Sequence, residues 1–275
     1  MPPCLTCVLM NWKRPDNIRD QILPALSQCP LIGEVILCHC HPETHFRCYS
    51  NRFPIRHRDD VANNKTHGLS IRFLAAREAT YPTVVFMDDD LVVHPATLHN
   101  LKTLYDLNAP CLVAKWGRNL DPSGGYSSAP IPTTQRTAPI ALTCLMMVSR
   151  SLCLDLLPAP HPLQRFVEQH STPLWNGEDI YISLRSIKEY GKWPILLGDD
   201  TVGPVKPLRT PGDLEVAISS KPGHIAYRGE WIHKLVSYYG LNLPDTGHRS
   251  SRGSRGSRGS RSRLRNVKRP LGFHL

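Results

Sequence analysis

No apolar run in the chain approaches the roughly 18 residues that a membrane-spanning helix needs. The stretch from Met1 to Arg14 also lacks a basic segment ahead of its short apolar run, and charge returns at once with Lys13 and Arg14. No secretory signal is read there. These absences imply a soluble protein, with the cytoplasm as its expected location. Acidic residues are absent from Gly247 onward, where Arg249, Arg252, Arg255, Arg258, Arg261, Arg263, Arg265, Lys268 and Arg269 supply nine positive charges. The formal net charge is +10, and +10 less nine leaves +1 for everything before that point. A nearly neutral body argues against nucleic acid as its target. The basic end is expected to make electrostatic contact with acidic surfaces. Glycine is missing between Asn11 and Asp16, so the Gly-rich loop that a nucleotidyltransferase would place after its first strand is not there.

The nine cysteines are an odd number without a secretory context, which argues against a disulfide framework. Cys4 with Cys7, and Cys38-His39-Cys40-His41 with His45 and Cys48, have the residue types of a zinc site. Residues 4–10 and 35–40 nevertheless read as core strands, where free cysteine behaves as a small hydrophobe. Buried thiols are expected.

The pattern of elements is one of alternation. Residues 5–10 predict a strand, then Pro15 and Asp16 open a helix in which Ile18, Ile22, Leu23 and Leu26 recur at helical spacing. Residues 33–38 predict a second strand. Strand–helix–strand at this interval implies an α/β class with parallel pairing and helical crossovers. A polar, histidine-rich loop is expected from residue 41 to about residue 63, followed by a helix over 69–79 and a strand over 84–87. Helices over 95–107, 163–170, 176–190 and 224–239 follow, with strands over 111–115, 141–148 and 192–197. Residues 121–137, rich in Gly, Ser, Pro and Thr, and residues 201–221 read as loops. The Arg-Gly-Ser repeats of residues 251–260 have nothing to bury and are expected to be disordered. The chain thus divides into one domain, 1–246, and a basic tail, 247–275.

The segment most informative about chemistry is Pro-Thr-Val-Val-Phe-Met-Asp-Asp-Asp-Leu-Val-Val, residues 82–93. A short apolar strand ends in Asp88, Asp89 and Asp90. Adjacent carboxylates repel, so a cation is expected there, and ligands of open α/β sheets sit at the carboxyl ends of strands. A hard divalent cation carrying a diphosphate fits both conditions. Three other segments lie where a strand ends or a helix begins: Asn11 to Asp16, Asn176-Gly177-Glu178-Asp179-Ile180, and His224 to Arg228. Read singly, Asp179 is a helix-capping acid, Arg72 a solvated helix face and His224 a core histidine. Their joint occurrence in this order points to one crevice.

Taken together these segments resemble the catalytic domain of the exostosin family. Asn176-Gly177-Glu178-Asp179-Ile180, with Gly191-Lys192-Trp193-Pro194 after it, is similar to that family's acidic helix start. His224 and Arg228, with Tyr239-Gly240 and Leu243-Pro244, resemble its C-terminal signature, and Asp88-Asp89-Asp90 resembles its metal-binding triplet. The resemblance implies a GT-A fold, a Rossmann-like mixed sheet flanked by helices. It also implies transfer of a sugar from a nucleotide-sugar, UDP-linked, to a hydroxyl of an oligosaccharide or glycoprotein, with retention at the anomeric carbon. By the same resemblance Asp90 ligates Mn²⁺ or Mg²⁺, and Asp88 and Asp89 hold the ribose and coordinating waters. Asn11, Arg14 and Arg72 lie on the nucleotide or its phosphates, and Asn63 or Asn64 contacts the base or diphosphate. Asp179 lies beneath the anomeric carbon, Glu178 binds hydroxyls, and His224 and Arg228 close over the donor. Two departures stand out. Gly177 and Trp231 replace two cysteines of the family, and Cys40-His41 replaces an Asn pair after the second strand. The alternatives are an inverting transferase, such as a xylosyltransferase, with Asp179 as general base, and an RNA-binding protein acting through its Arg-Gly-Ser tail.

Overall fold

The computed structural model describes residues 2–132, 134–154, 177–198, 203–208 and 222–243. Strand β1 (Leu5–Asn11) is buried at every position. It is joined by β2 (Ile32–His39), β3 (Ile55–Asp59), β4 (Thr83–Met87), β6 (Val113–Ala114), β9 (Leu145–Ser149) and β10 (Ile195–Leu196) in a 7-stranded sheet of order β10-β6-β9-β4-β1-β2-β3. β1 runs parallel to β2 and β4, β2 to β3, and β6 to β10. β9 is antiparallel to both β4 and β6, which makes the sheet mixed.

Both faces of the sheet are covered, and this is why the strands read as unbroken apolar runs rather than alternating ones. On one face Cys7, Leu9, Val35, Leu37, Val85 and Met87 pack against two helices. The first, α1, spans residues 15–27 and carries a π turn at Ile18–Ile22. The second, α4 (Pro95–Asn108), starts at Pro95, with the His94 ring accepting the Ala96 N–H at 3.1 Å. Between these in sequence lie α2 (Val61–His67) and α3 (Ile71–Arg77). On the other face Val8, Ile36, Val84, Phe86 and Met146 meet α3, α5 (Arg150–Leu154), α6 (Glu178–Tyr190) and α7 (His224–Tyr239). α6 stops at Gly191, whose φ of 65° is a left-handed conformation open to glycine at little cost.

Three expectations are corrected. Residues 41–63 are not simply a loop: they contain β3, an edge strand, and the start of α2. Its Arg56 and Arg58 pair with Glu34, Asp60 and Glu78, so polar residues fill a strand that has no hydrophobic signature. The strand expected over 141–148 is two strands, β8 (Ile140–Ala141), paired with β7 (Gly117–Arg118), and then β9, with a turn between them. Within the expected loop 201–221, β11 (Val205–Pro207) pairs antiparallel with β5 (Leu91–Val93). The helix expected over 163–170 and the basic tail lie outside the described residues. All nine cysteines are free thiols.

From β1 the chain passes outward through β2 to β3, then returns to place β4 on the other side of β1. That reversal creates a crevice beyond the carboxyl ends of β1 and β4, the position where open α/β sheets hold ligands. At the opposite end of the sheet, buried Glu34 gathers the Thr6 hydroxyl (2.7 Å), the Thr80 N–H (2.9 Å) and hydroxyl (3.0 Å), and Arg56 (2.6 Å). Burial alone would raise its pKa, but these donors outweigh it and hold the carboxyl below its ordinary range. The ionised form therefore adds stability that is complete above about pH 4.3 and is lost as pH falls through the lower folded-state value. Glu34→Gln is expected to cost about 1–3 kcal/mol at neutral pH. In urea denaturation it should also flatten the loss of stability on acidification; an unchanged acid slope would contradict this role.

Candidate functional site

The carboxyl end of β4 delivers the three aspartates into the crevice in alternating directions. Asp89 turns inward and is 4% exposed. Its Oδ2 accepts the backbone N–H groups of Trp12 (2.9 Å) and Lys13 (3.3 Å), its Oδ1 accepts Arg14 at 2.7 Å, and its carbonyl accepts Asn17 at 3.0 Å. Burial raises its pKa, with the Arg14 charge opposing. Asp89 is thus the clamp that fixes the loop after β1 to the end of β4. Asp88 and Asp90 remain partly exposed. The Asp90 carbonyl accepts the Leu208 N–H at 2.7 Å, so the β5–β11 ribbon sets the exit of the triplet.

Arg72, on α3, is 1% exposed and spends its guanidinium internally. Nε donates to the Leu69 carbonyl (3.1 Å), one terminal nitrogen to the Thr143 carbonyl (3.0 Å) and the other to Asp88 (3.2 Å), with Glu178 at 3.7 Å from that same nitrogen. Burial would depress its pKa, but Asp88 and Glu178 raise it. Arg72, expected on the phosphates, here braces two carboxylates from behind. Arg14 likewise faces Asp89.

Glu178 and Asp179 form the first turn of α6, where backbone N–H groups favour negative charge. Glu178 Oε1 accepts the Thr143 hydroxyl at 2.6 Å, and Oε2 is buried without a hydrogen-bond partner. Asp179 Oδ2 meets Arg228 at 2.5 Å, and Oδ1 accepts the Ile180 N–H at 2.8 Å. Arg228 is 2% exposed and lies over the Tyr126 ring at 4.2 Å. His224 packs edge-on against Tyr126, and burial, then Arg228, lowers its pKa. The Cys144 thiol, pushed up by burial, also feels Asp88, Asp90, Arg72 and Asp179. Arg72 lies 3.2 Å from Asp88 and 3.7 Å from Glu178, so the end of β4 and the start of α6 lie side by side.

Asn11, at the end of β1, is fully buried. Its amide nitrogen lies 2.9 Å from His39 Nδ1 and donates to the Thr44 carbonyl at 2.9 Å. His39 continues to His57 at 2.9 Å and its pKa falls to about 4, because burial and the neighbouring His45 and His57 disfavour its charged form. Asn63 donates to Asp60 (2.9 Å) and Asn64 to the Cys40 carbonyl (3.4 Å), which places both on α2 beside the β2 end rather than on the triplet. Sequence reasoning missed Thr143, Cys144 and Tyr126. The polar Thr143 inside an otherwise apolar run was the available signal. A Cβ at Gly177 would lie 3.3 Å from Trp231 Nε1, so the two positions that depart from the family pattern are in contact, and an indole occupies their shared volume.

Among the described residues no group of three or more His, Cys, Asp or Glu side chains could hold a metal by itself. Asp88 and Asp90 offer oxygen donors, which suits a cation completed by substrate phosphates.

No protein-family model matches the chain, and no curated protein matches it. Among solved structures it is similar to Staphylococcus aureus TarS residues 1–349 in complex with UDP-GlcNAc, with a TM-score of 0.56 and 13% identity over 87% of this chain and 68% of that one. The same segment of TarS without that ligand superposes with a TM-score of 0.47 over 73% of this chain and 59% of that one. The first match shows a GT-A-like fold, as expected from the sequence.

Arg72→Ala, which strands Asp88 and Glu178, is expected to destabilise the fold by roughly 3–5 kcal/mol. Arg72→Lys should recover only part of this, since ammonium cannot reproduce the three-way fork. Equal stability of the lysine variant and the parent in urea denaturation would contradict the bracing role.

Proposed function

We propose that this chain is a nucleotide-sugar glycosyltransferase. The observation that carries the reading is the convergence of Asp88-Asp89-Asp90 and Glu178-Asp179 on one crevice, at the switch point of a GT-A-like sheet. The TarS structure holds UDP-GlcNAc, which supports a UDP-linked sugar as donor, and the exostosin-like motifs support a glycan hydroxyl of an oligosaccharide or glycoprotein as acceptor. Asp90, with Asp88 beside it, would hold Mn²⁺ or Mg²⁺. When bound, such a cation neutralises the charge of a departing diphosphate.

The chain's own residues then divide the work. Asp89 and Arg14 fix the loop after β1, so that the Asn11 end of the crevice keeps its shape around a nucleotide. Arg72 holds Asp88 and Glu178 at a set separation despite their repulsion, which is the preorganisation that transition-state stabilisation requires. Asp179, paired with Arg228, lies against the site where positive charge develops as the sugar–phosphate bond loosens. Tyr126 and His224 wall the other side with Arg228. Asp179 already carries a donor on each oxygen, Arg228 on one and the Ile180 N–H on the other. That favours the retaining reading over the inverting one in which Asp179 is the general base.

A thermal-shift screen of UDP- and GDP-sugars, with Mn²⁺ and with EDTA, tests the reading. Ligand at 100 times its dissociation constant adds about 2.7 kcal/mol to folding stability. The melting point is expected to rise with a UDP-sugar and Mn²⁺ and to return to baseline with EDTA or in Asp90→Asn. No shift with any nucleotide-sugar would contradict the proposal.

A further inference from the structure

The two neighbouring carboxylates at the start of α6 differ in a way that separates their roles. Both oxygens of Asp179 are engaged, one by the buried Arg228 at 2.5 Å and the other by the Ile180 N–H at 2.8 Å. Glu178 is engaged on one side only. Thr143 donates to Oε1 at 2.6 Å, and the nearest Arg72 nitrogen is 3.7 Å from that same oxygen. Oε2 is buried with no partner. A buried carboxylate oxygen without a donor is costly, and a hydroxyl docked against it would relieve that cost.

Resting on the reading above, we infer that Glu178 Oε2, and not Asp179, is the atom that takes the acceptor's proton during transfer. The groups that face Glu178 come from three directions: Arg72 on α3, Asp179 beside it, and Arg228 on α7, with Thr143 in the turn before β9. Burial first, and then the Asp179 charge, raise its proton affinity against the opposing pull of Arg72, the Thr143 hydroxyl and Arg228. A raised proton affinity suits a group that takes a proton as the new bond forms. In the step itself the acceptor O–H bond breaks and its proton passes to Oε2. The acceptor oxygen bonds to the anomeric carbon, while the sugar–phosphate C–O bond breaks and its electron pair leaves with the diphosphate. Arg72 ties Glu178 to Asp88, so the proton acceptor belongs to the same braced unit as the carboxylates on the diphosphate side. Attack and departure on one face is the arrangement that retention requires.

The test compares the parent with Glu178→Gln, Glu178→Asp and Asp179→Asn. UDP-GlcNAc is the donor probe and water the acceptor, with UDP release followed across pH and UDP-GlcNAc binding measured separately by calorimetry. The expected result for Glu178→Gln is a turnover loss of about 100-fold or more, a UDP-GlcNAc affinity unchanged within about threefold, and disappearance of the acid limb of the rate profile. Glu178→Asp should shift that limb, and Asp179→Asn should keep it at lower turnover. An acid limb that persists in Glu178→Gln and vanishes in Asp179→Asn would overturn the assignment. An activity-independent readout accompanies these. The infrared difference spectrum between the parent and Glu178→Gln should contain a protonated-carboxyl stretch at mildly acidic pH that disappears on alkalinisation. Its absence throughout would overturn the assignment as well. Failure of UDP-GlcNAc and its congeners to bind would count against the glycosyltransferase reading, while the infrared band would still report on Glu178.

Discussion

Three largely buried guanidinium groups hold four carboxylates at the carboxyl edge of the sheet, and the rest of the site depends on this arrangement. Arg14 pairs with Asp89, Arg72 with Asp88 and Glu178, and Arg228 with Asp179. Without these pairs the acidic groups would repel one another and the crevice would open. Buried ion pairs contribute little net stability once desolvation is counted. Their consequence here is positional: each arginine comes from a different element, so the charges lock the loop after β1, α3 and α7 onto the ends of β4 and α6.

The fold supplies the geometry that makes this lock possible. A sheet covered on both faces buries its strands completely, so the polar groups at strand ends have one direction left, toward the crevice. The reversal of strand order around β1 then brings the Asn11 end of β1 and the aspartates of β4 side by side. Asp89 turns inward and Asp88 and Asp90 stay partly open, because consecutive residues leaving a strand point to opposite sides. Three identical side chains thereby take on different jobs.

Much of the architecture was legible in the sequence. β1, β2 and β4 are apolar runs with turn residues after them, and α4, α6 and α7 carry Pro or Gly at the ends where such residues belong. The acidic triplet and the Glu178-Asp179 pair stood out because carboxylates at element ends need partners. What stayed hidden was the identity of those partners. Arg72 looks like one more polar position on a helix, and only packing shows that it is 1% exposed with every donor turned inward. Strand β3 was missed because Arg56, His57 and Arg58 give no apolar period; its side chains are half-exposed at the sheet edge and are satisfied by ion pairs. Thr143 was absorbed into an apolar stretch, although a hydroxyl there is what fixes one oxygen of Glu178. Local pattern reports burial well, but it carries no information about which distant charge will arrive opposite.

The proposed function requires a nucleotide diphosphate and a divalent cation to meet at the Asp88–Asp90 edge of the crevice. Electron paramagnetic resonance of Mn²⁺ titrated with UDP and the protein measures this directly. A protein-bound Mn²⁺ signal with phosphorus hyperfine coupling is expected, present only when UDP is added and lost in Asp90→Asn. A spectrum indistinguishable from that of Mn²⁺–UDP in buffer, or one unchanged by Asp90→Asn, would contradict it.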